Sequence, residues 1–389
     1  MQRYAHITGW GMSVPDRVLT NKELARTVDT SDEWIVGRTG IHERRIAGPR
    51  ETTASLAIEA ARAALECADV SPRQIDLIIV ATSTPEYIFP ATACVVQDTL
   101  GASNAGGFDL SAACSGFIYA LEMGAAAIRG GSQQTVLVIG AETMSRVVNW
   151  KDRGTCILFG DGAGAFVLQA SETPGGVLAS IMRADGSGGP SLIIPAGGSH
   201  MPASAESVRD GQHFIHMDGK EVYRFATRIM VSATRDVVAA AGLALDDIAL
   251  IVPHQANIRI IESAARSLNL PADRFVVNLD RYGNTSTASI PIAICEAVAE
   301  GRIRPNDNLV LVGFGGGLTW GASAIQWNVT PKQEISSLHR LGRRTIYALS
   351  GVRTRVRQGL RRVETAIGGN GNGPDNGNGN GSGSNGHKP

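Results

Sequence analysis

Apolar residues along this chain come in short bursts rather than long spans. The runs at residues 77–80 (LIIV) and 135–139 (TVLVI) end in turns after a few positions, the length of a buried strand. Between such runs lie Ala-rich stretches with helical spacing. Residues 1–330 therefore read as strands and helices in alternation, which predicts an α/β fold.

The alternation repeats. Residues 59–83 (EAARAALECADVSPRQIDLIIVATS) predict a helix, a turn and a buried strand, and residues 233–255 (ATRDVVAAAGLALDDIALIVPHQ) predict the same. Placing Val80 on Val252 sets an offset of 172, which carries Cys114 onto Ser286, each opening a helix-like run. TVLVIGAE (135–142) and NLVLVGFG (308–315) follow with a slip of one residue, then a Gly-rich turn and a closing strand in both halves. Matches in this order predict a duplicated fold. Its halves, residues 1–173 and 174–330, join in the Gly/Pro-rich stretch at 173–176 and bring equivalent loops to one centre.

Composition narrows the class. The 389 residues are 43% hydrophobic with 46 Gly, and no apolar run approaches the roughly 20 residues of a membrane-spanning helix. The N-terminus enters a strand-like stretch with no signal-peptide pattern. Cys67, Cys94, Cys114, Cys156 and Cys295 are an odd number with no CxxC spacing, which speaks against a disulfide framework or zinc site and for a reducing, cytoplasmic compartment. A net charge of zero hides an asymmetry: residues 331–367 carry a net +7 and the first 330 residues −7. No nucleic-acid partner is expected. Residues 368–389, rich in Gly, Asn and Ser, predict a disordered tail.

Cys114 stands in DLSAACSGFIYALEMGAAA, at the start of a helical pattern, where the dipole and free N–H groups lower a thiol pKa. The plain alternative, a small buried hydrophobe, suits the other four cysteines. His254 follows the strand-like run 248–252, a place where polar residues line a crevice, although a lone His is more often structural. Asn284, in RYGNTSTAS, sits just before a helix and locally reads as a turn or N-cap residue. GFGGGLTWGA (313–322) can aim backbone N–H groups at an anionic oxygen, or can simply be a tight turn. Together these make a nucleophile, a base or donor, an amide donor and an oxyanion loop at repeat-equivalent positions.

DTSDEWIVGRTGI (29–41), the Cys114 segment, DRGTCILFGDGAGA (152–165), VPHQANIRII (252–261), DRYGNTSTASIP (280–291) and GFGGGLTWGA resemble the β-ketoacyl-acyl carrier protein synthase III family of bacterial fatty-acid synthesis. The resemblance runs in order through residues 1–330. It implies a thiolase-like, duplicated, five-layered αβαβα fold and a triad of Cys114, His254 and Asn284. Cys114 would take an acyl group from coenzyme A, and His254 and Asn284 would stabilise the enolate formed when malonyl-carrier protein loses CO2. Amides of Cys114 and Gly316 would hold the oxyanion, with no metal or redox cofactor. Thr30, Trp34, Arg38, Arg153 and Asn257 match coenzyme A positions, the planes of Trp34 and Arg153 being suited to stacking on adenine. Arg224 and Arg259, with Gln255, Ala256, Asn257 and Ile258, match the face that meets acyl carrier protein. Phe89 matches a residue that reaches across a homodimer into the partner's acyl pocket, whose lining would also include Met144, Phe159 and Phe314.

Rival readings fall on context. GDGAGA resembles a dinucleotide fingerprint, but the following FVLQA reads as a strand, whereas the fingerprint must open a helix. A thiolase would place a second cysteine in residues 313–322, which contain none, and a chain-elongating synthase would have a second histidine at Asn284. The same chemistry with an unusual acyl donor in specialised, polyketide-like metabolism stays open. Residues 331–367 depart from the family pattern. Leu349, Val352, Val356, Leu360, Val363 and Ile367 recur three and four apart among arginines, predicting a basic amphipathic helix. Residues 335–367 could contact the acidic body, the carrier protein or an anionic membrane surface.

Overall fold

Two sheets and three helical layers carry the fold in the computed structural model, which describes residues 2–329. The expected basic helix at 331–367 and the tail at 368–389 lie outside the described residues. In chain order the main strands of the first half are β1 (Tyr4–Ser13), β2 (Leu77–Ala81), β3 (Gly106–Leu110), β4 (Thr135–Thr143) and β5 (Asp161–Ser171). The second half supplies β6 (Gly176–Ala184), β7 (Ile248–Pro253), β8 (Asp307–Gly315) and β9 (Thr319–Trp327). The helices that matter here are α1 (Asp32–Thr39), α2 (Thr53–Ala68), α3 (Thr92–Leu100), α4 (Gly116–Arg129), α5 (Gly219–Ala240), α6 (Ile258–Leu268) and α7 (Ser289–Ala299).

The first sheet runs β1-β5-β4-β2-β3 and the second β6-β9-β8-β7, the same order less one edge. In both, the central pair is parallel (β4 with β2, β8 with β7) and the remaining long pairings, β4–β5, β5–β1, β8–β9 and β9–β6, are antiparallel. The missing edge survives as an isolated parallel bridge between Ile251 and Phe275. The chain passes from one sheet to the other between Ser171 and Gly176. The expected GDGAGA strand is β5.

Helix formation follows local chemistry. Thr52 and Ser55 form a reciprocal capping box at the start of α2, worth about 1 kcal/mol, and α2 ends at Asp69 in the left-handed region. Asp218 caps α5 by accepting from Lys220 N and Glu221 N, and Asn257 caps α6. Alanines on α2 let it lie close on β1, so that a Cβ on Gly9 would come within 2.3 Å of Ala64 O.

The layers follow from the cores. Leu56, Ala60 and Leu65 of α2 and Val96 and Leu100 of α3 pack on one face of the first sheet. Phe225, Ile229, Ile260 and Ile261 of α5 and α6 cover the far face of the second. Between the sheets lie Phe117, Ile118 and Leu121 of α4 with Ile290, Ala293 and Ile294 of α7. Helices apolar on nearly every side suit only such a central layer. The expected five-layered αβαβα arrangement is present.

The strongest sign of the duplication lies where the halves interlock. A Cβ on Gly140 of β4 would meet Thr287 O at 2.4 Å, and a Cβ on Gly313 of β8 would meet Cys114 O at 3.4 Å. Each half's central strand thus receives the other half's helix entrance. Ala113 and Ser286 share a positive φ (47° and 50°) just before these entrances. The local offset is therefore 173, and Cys114 corresponds to Thr287 rather than to Ser286 as the sequence offset implies. The slip reflects backbone geometry, which the residue letters do not show. Gly140→Ala should lower the thermal unfolding midpoint, with a destabilisation of about 2–3 kcal/mol from overpacking. Gly37→Ala in α1, where no atom lies within 4 Å of the added carbon, should keep or raise it. Matching midpoints for the two variants would show that the interlock tolerates a methyl group.

Candidate active site

Both central helices open at the middle of the molecule, and the proposed chemistry gathers there. Cys114 lies in a short 3-10 turn, Ala113–Ser115, that leads into α4. His254 leaves the end of β7, and its backbone N–H continues the ladder by donating to Val312 O at 2.8 Å. Asn284 is held between Leu158 and Gly160 by backbone bonds of 2.8 and 3.0 Å. Cys114, His254, Asn284, Phe159, Phe314, Ala256, Asn257 and Gly315 line one small inner cavity of about 100 Å³. The cavity shares Leu158, Met217, Gly219, Tyr223 and Asn257 with an outer cleft of about 1460 Å³.

The inner site is buried, and desolvation sets its ionisation. Burial pushes the Cys114 thiol up to about 12, with a hydrogen bond to Ser286 opposing the rise. Burial thus works against the lowered pKa expected from the helix entrance. A helix terminus contributes at most about 2 kcal/mol, or between one and two pKa units, too little to offset full desolvation. Burial alone pushes His254 down to about 3, so the imidazole is neutral at physiological pH. Its Nδ1 lies 2.7 Å from Ser289 Oγ at the start of α7. In the tautomer where the Ser289 hydroxyl donates to Nδ1, the ring proton resides on Nε2 and His254 is a neutral donor. The ring also meets Phe314 edge to face at 5.3 Å. Asn284 Oδ1 accepts from Ser286 N at 2.8 Å, which leaves its Nδ2 as the free end of the amide.

Trp34, Arg38, Arg153, Asn257, Arg224 and Arg259 all line the outer cleft, so sequence positions more than 200 residues apart share one wall. The Arg153 and Arg38 guanidinium groups lie 4.9 and 5.3 Å from the Trp34 ring centre. Arg153 thus stacks on Trp34 itself, and an adenine between them requires the pair to part. Thr30 precedes Ser31, the cap of α1, and its Oγ1 is buried with no hydrogen-bond partner among the described residues. Asn257 Oδ1 caps α6, and its Nδ2 donates to Arg38 O at 3.1 Å. Arg259 donates to Gly37 O. Ile258 is half-buried against Gly40, beside Ala256 on the inner wall.

Three expectations need correction. Gln255 is buried and spends its amide on Pro253 O, Val276 O and Asn278 N, so it is a structural residue rather than part of a carrier-protein face. Met144 packs in the core with Leu19, Leu24 and Ile35 and is not among the cavity's lining residues. The glycine loop lies against the nucleophile: a Cβ on Gly315 would come within 2.5 Å of Cys114 N, and one on Gly316 would meet Leu192 O at 3.1 Å. Cys94, read as a buried hydrophobe, is exposed. Phe89 is 84% exposed beside Tyr87 and Ile88 and away from its own chain's cavity. Sequence reasoning missed Ser289 and the walls from Leu192, Met217, Val222 and Tyr223, which no motif marks.

Comparison with known proteins decides the family. The model of "3-Oxoacyl-[acyl-carrier-protein (ACP)] synthase III" matches residues 108–186, and that of its C-terminal region matches 238–327. A curated "Beta-ketoacyl-[acyl-carrier-protein] synthase III" from Symbiobacterium thermophilum is 57% identical over 321 residues, covering 82% of this chain and 97% of its own. The chain belongs to the 3-oxoacyl-acyl-carrier-protein synthase III family. It is an acyl-CoA-dependent condensing acyltransferase with a thiolase-like fold. The crystal structure of the synthase III from Aquifex aeolicus is 47% identical with a TM-score of 0.77, covering 83% of this chain and 99% of that one. A priming β-ketosynthase from a polyketide biosynthetic pathway is 39% identical with a TM-score of 0.78, covering 85% and 98%. No helix among the described residues of this synthase is long and apolar enough to cross a membrane.

The ionisation of Cys114 is directly measurable. Iodoacetamide alkylation, read on the Cys114 peptide to separate it from Cys94, should climb about tenfold per pH unit through pH 9. A plateau near pH 8 would mean that the helix entrance does stabilise a thiolate.

Proposed function

We propose that Cys114, His254 and Asn284 carry out a decarboxylative condensation that joins an acyl-CoA starter to malonyl-acyl carrier protein, the initiating step of fatty-acid synthesis. The supporting observation is the meeting of these three side chains on one buried cavity that opens into an arginine-lined cleft. In the first half-reaction, Cys114 Sγ bonds to the acyl carbon, the thioester C–S bond breaks, and coenzyme A leaves with the thiol proton. In the second, the malonyl C–CO2 bond breaks and its electron pair forms an enolate. His254 Nε2–H and Asn284 Nδ2–H donate to the enolate oxygen, the carbanion attacks the acyl carbon, and Cys114 leaves and regains a proton. The balance is one proton taken up and one CO2 released, with no redox change and no call for a cofactor.

Amides of Cys114 and Gly316 serve as oxyanion donors, each worth about 3–4 kcal/mol. A buried cavity strengthens every such bond, because the charge is less screened than in water. Trp34, Arg38, Arg153, Thr30 and Asn257 hold the nucleotide and pantetheine of coenzyme A. Arg224, which is mostly exposed, and Arg259, with Ala256 and Ile258, meet the acidic carrier protein. The exposed Phe89 loop supports a homodimer in which each protomer closes its partner's acyl pocket. The absence of membrane-spanning helices among the described residues suits a cytoplasmic enzyme. Residues 335–367, outside the described residues, remain a candidate contact with an anionic membrane.

After incubation with acetyl-CoA, mass spectrometry should find one stable acyl adduct, on the Cys114 peptide; an adduct elsewhere with Cys114 untouched would sink the mechanism. His254→Ala and Asn284→Ala should each cut decarboxylation of malonyl-carrier protein by about 100-fold while slowing acylation far less. With His254 already neutral, the pH profile of decarboxylation should show no limb near pH 6.5. A limb there would mean that the imidazole titrates in solution-like surroundings.

A further inference from the structure

The buried carboxylate of Glu142 has no part in the chemistry above, yet it sits at the mirror image of the site. At the local offset of 173, Glu142 at the end of β4 corresponds to Gly315 at the end of β8. Gly315 has no side chain, which leaves the cavity open over Cys114. Glu142 fills the equivalent space over Ser286 and Thr287.

Its oxygens collect donors from both halves. Thr84 Oγ1 donates to Oε2 at 2.6 Å, Thr82 Oγ1 lies 3.3 Å from the same oxygen, and Ser83 N reaches both oxygens at 3.1 Å. From the second half, Ser286 Oγ donates to Oε1 at 2.9 Å. Thr287 Oγ1 lies 3.2 Å from Oε1 and 3.0 Å from Ala81 O, so its one proton serves either. A carboxylate accepts at every lone pair and matches this donor set. Burial raises the Glu142 pKa, and the same hydrogen bonds oppose the rise.

Ser286 is where this network reaches the catalytic residues. It holds a left-handed φ of 50°, a strained conformation for a residue with a side chain. Its hydroxyl, which also lies beside the Cys114 thiol, donates to Glu142, while its N–H donates to Asn284 Oδ1. An amide whose oxygen is engaged can present only its nitrogen to the cavity. Without the Glu142 tie, Ser286 can relax, its N–H turns away, and the Asn284 amide is free to rotate its oxygen towards the enolate.

We propose that Glu142 is a positioning residue for carbanion formation: through Ser286 it fixes Asn284 with Nδ2 facing the enolate. The inference rests on reading Asn284 as an enolate donor, and the test separates the two. Glu142→Gln, Ser286→Ala and Asn284→Ala would be compared by release of labelled CO2 from malonyl-carrier protein and by acyl transfer from labelled acetyl-CoA to Cys114. Ser286→Ala keeps the carboxylate and its other donors but also removes a hydrogen bond to the Cys114 thiol, so its decarboxylation is compared in a Cys114→Ala background, where it tests the link even if Glu142→Gln folds poorly. Both variants should lower kcat for decarboxylation by at least about tenfold, with KM for malonyl-carrier protein within about twofold. In Glu142→Gln acyl transfer should fall by a clearly smaller factor, a split that general loosening of the fold would not produce. Decarboxylation within about twofold of the parent in folded Glu142→Gln and Ser286→Ala, while Asn284→Ala loses it, would overturn the role of Glu142 alone. Equal losses in both half-reactions of Glu142→Gln would also overturn it. Full decarboxylation by Asn284→Ala would overturn the reading of Asn284 and the proposal with it.

Discussion

Two apolar helices share one layer between two sheets, and the rest of the molecule is arranged around that constraint. Helices α4 and α7 bury most of their surface, so no solvent-facing solution exists for either. Their entrances must then lie inside the protein, close to the opposing strands. Glycines at 140 and 313 permit that approach, because any larger residue would strike or crowd the backbone of the other half. A nucleophile at one of these entrances is consequently buried by architecture rather than by a lid.

Burial has an electrostatic price that the site turns to use. A buried cavity disfavours every charge, raising the thiol of Cys114 and depressing the imidazole of His254. The pair therefore rests as neutral thiol and neutral imidazole, unlike the ion pair of many cysteine nucleophiles. In the proposed reaction neutral donors suit an enolate, since they stabilise developing charge without protonating the carbon. The fixed orientation of His254 against Ser289, and of Asn284 against Ser286, supplies in advance the ordering that water would have to acquire during reaction.

Outside the buried centre the chemistry changes character. The outer cleft is open and rich in arginine, with Trp34 clasped by two guanidinium groups. Such a surface suits a long anionic carrier that leaves its thioester in the inner cavity and its charged end in solvent. Both compartments share Asn257, whose side chain caps α6 and ties it to Arg38 on α1. The boundary between them is thus built in part from a helix cap.

The sequence by itself determined the alternation of strands and helices, the duplication, the family motifs and the identities of Cys114, His254 and Asn284. These are properties of periodicity, spacing and residue type, and they survive without coordinates. Only the tertiary structure decided the ionisation of the site, because desolvation depends on what surrounds a group from every direction. It also moved the repeat register by one residue at the helix entrances, where a positive φ rather than a side chain marks equivalence. Gln255 and Met144 left the site for the same reason: a motif gives a position, while packing decides which way its side chain faces. Ser289 and Glu142 were invisible in the sequence because their partners lie 35 and 144 residues away, the first brought within 3 Å by the folding of the second half and the other only when the two halves close on each other.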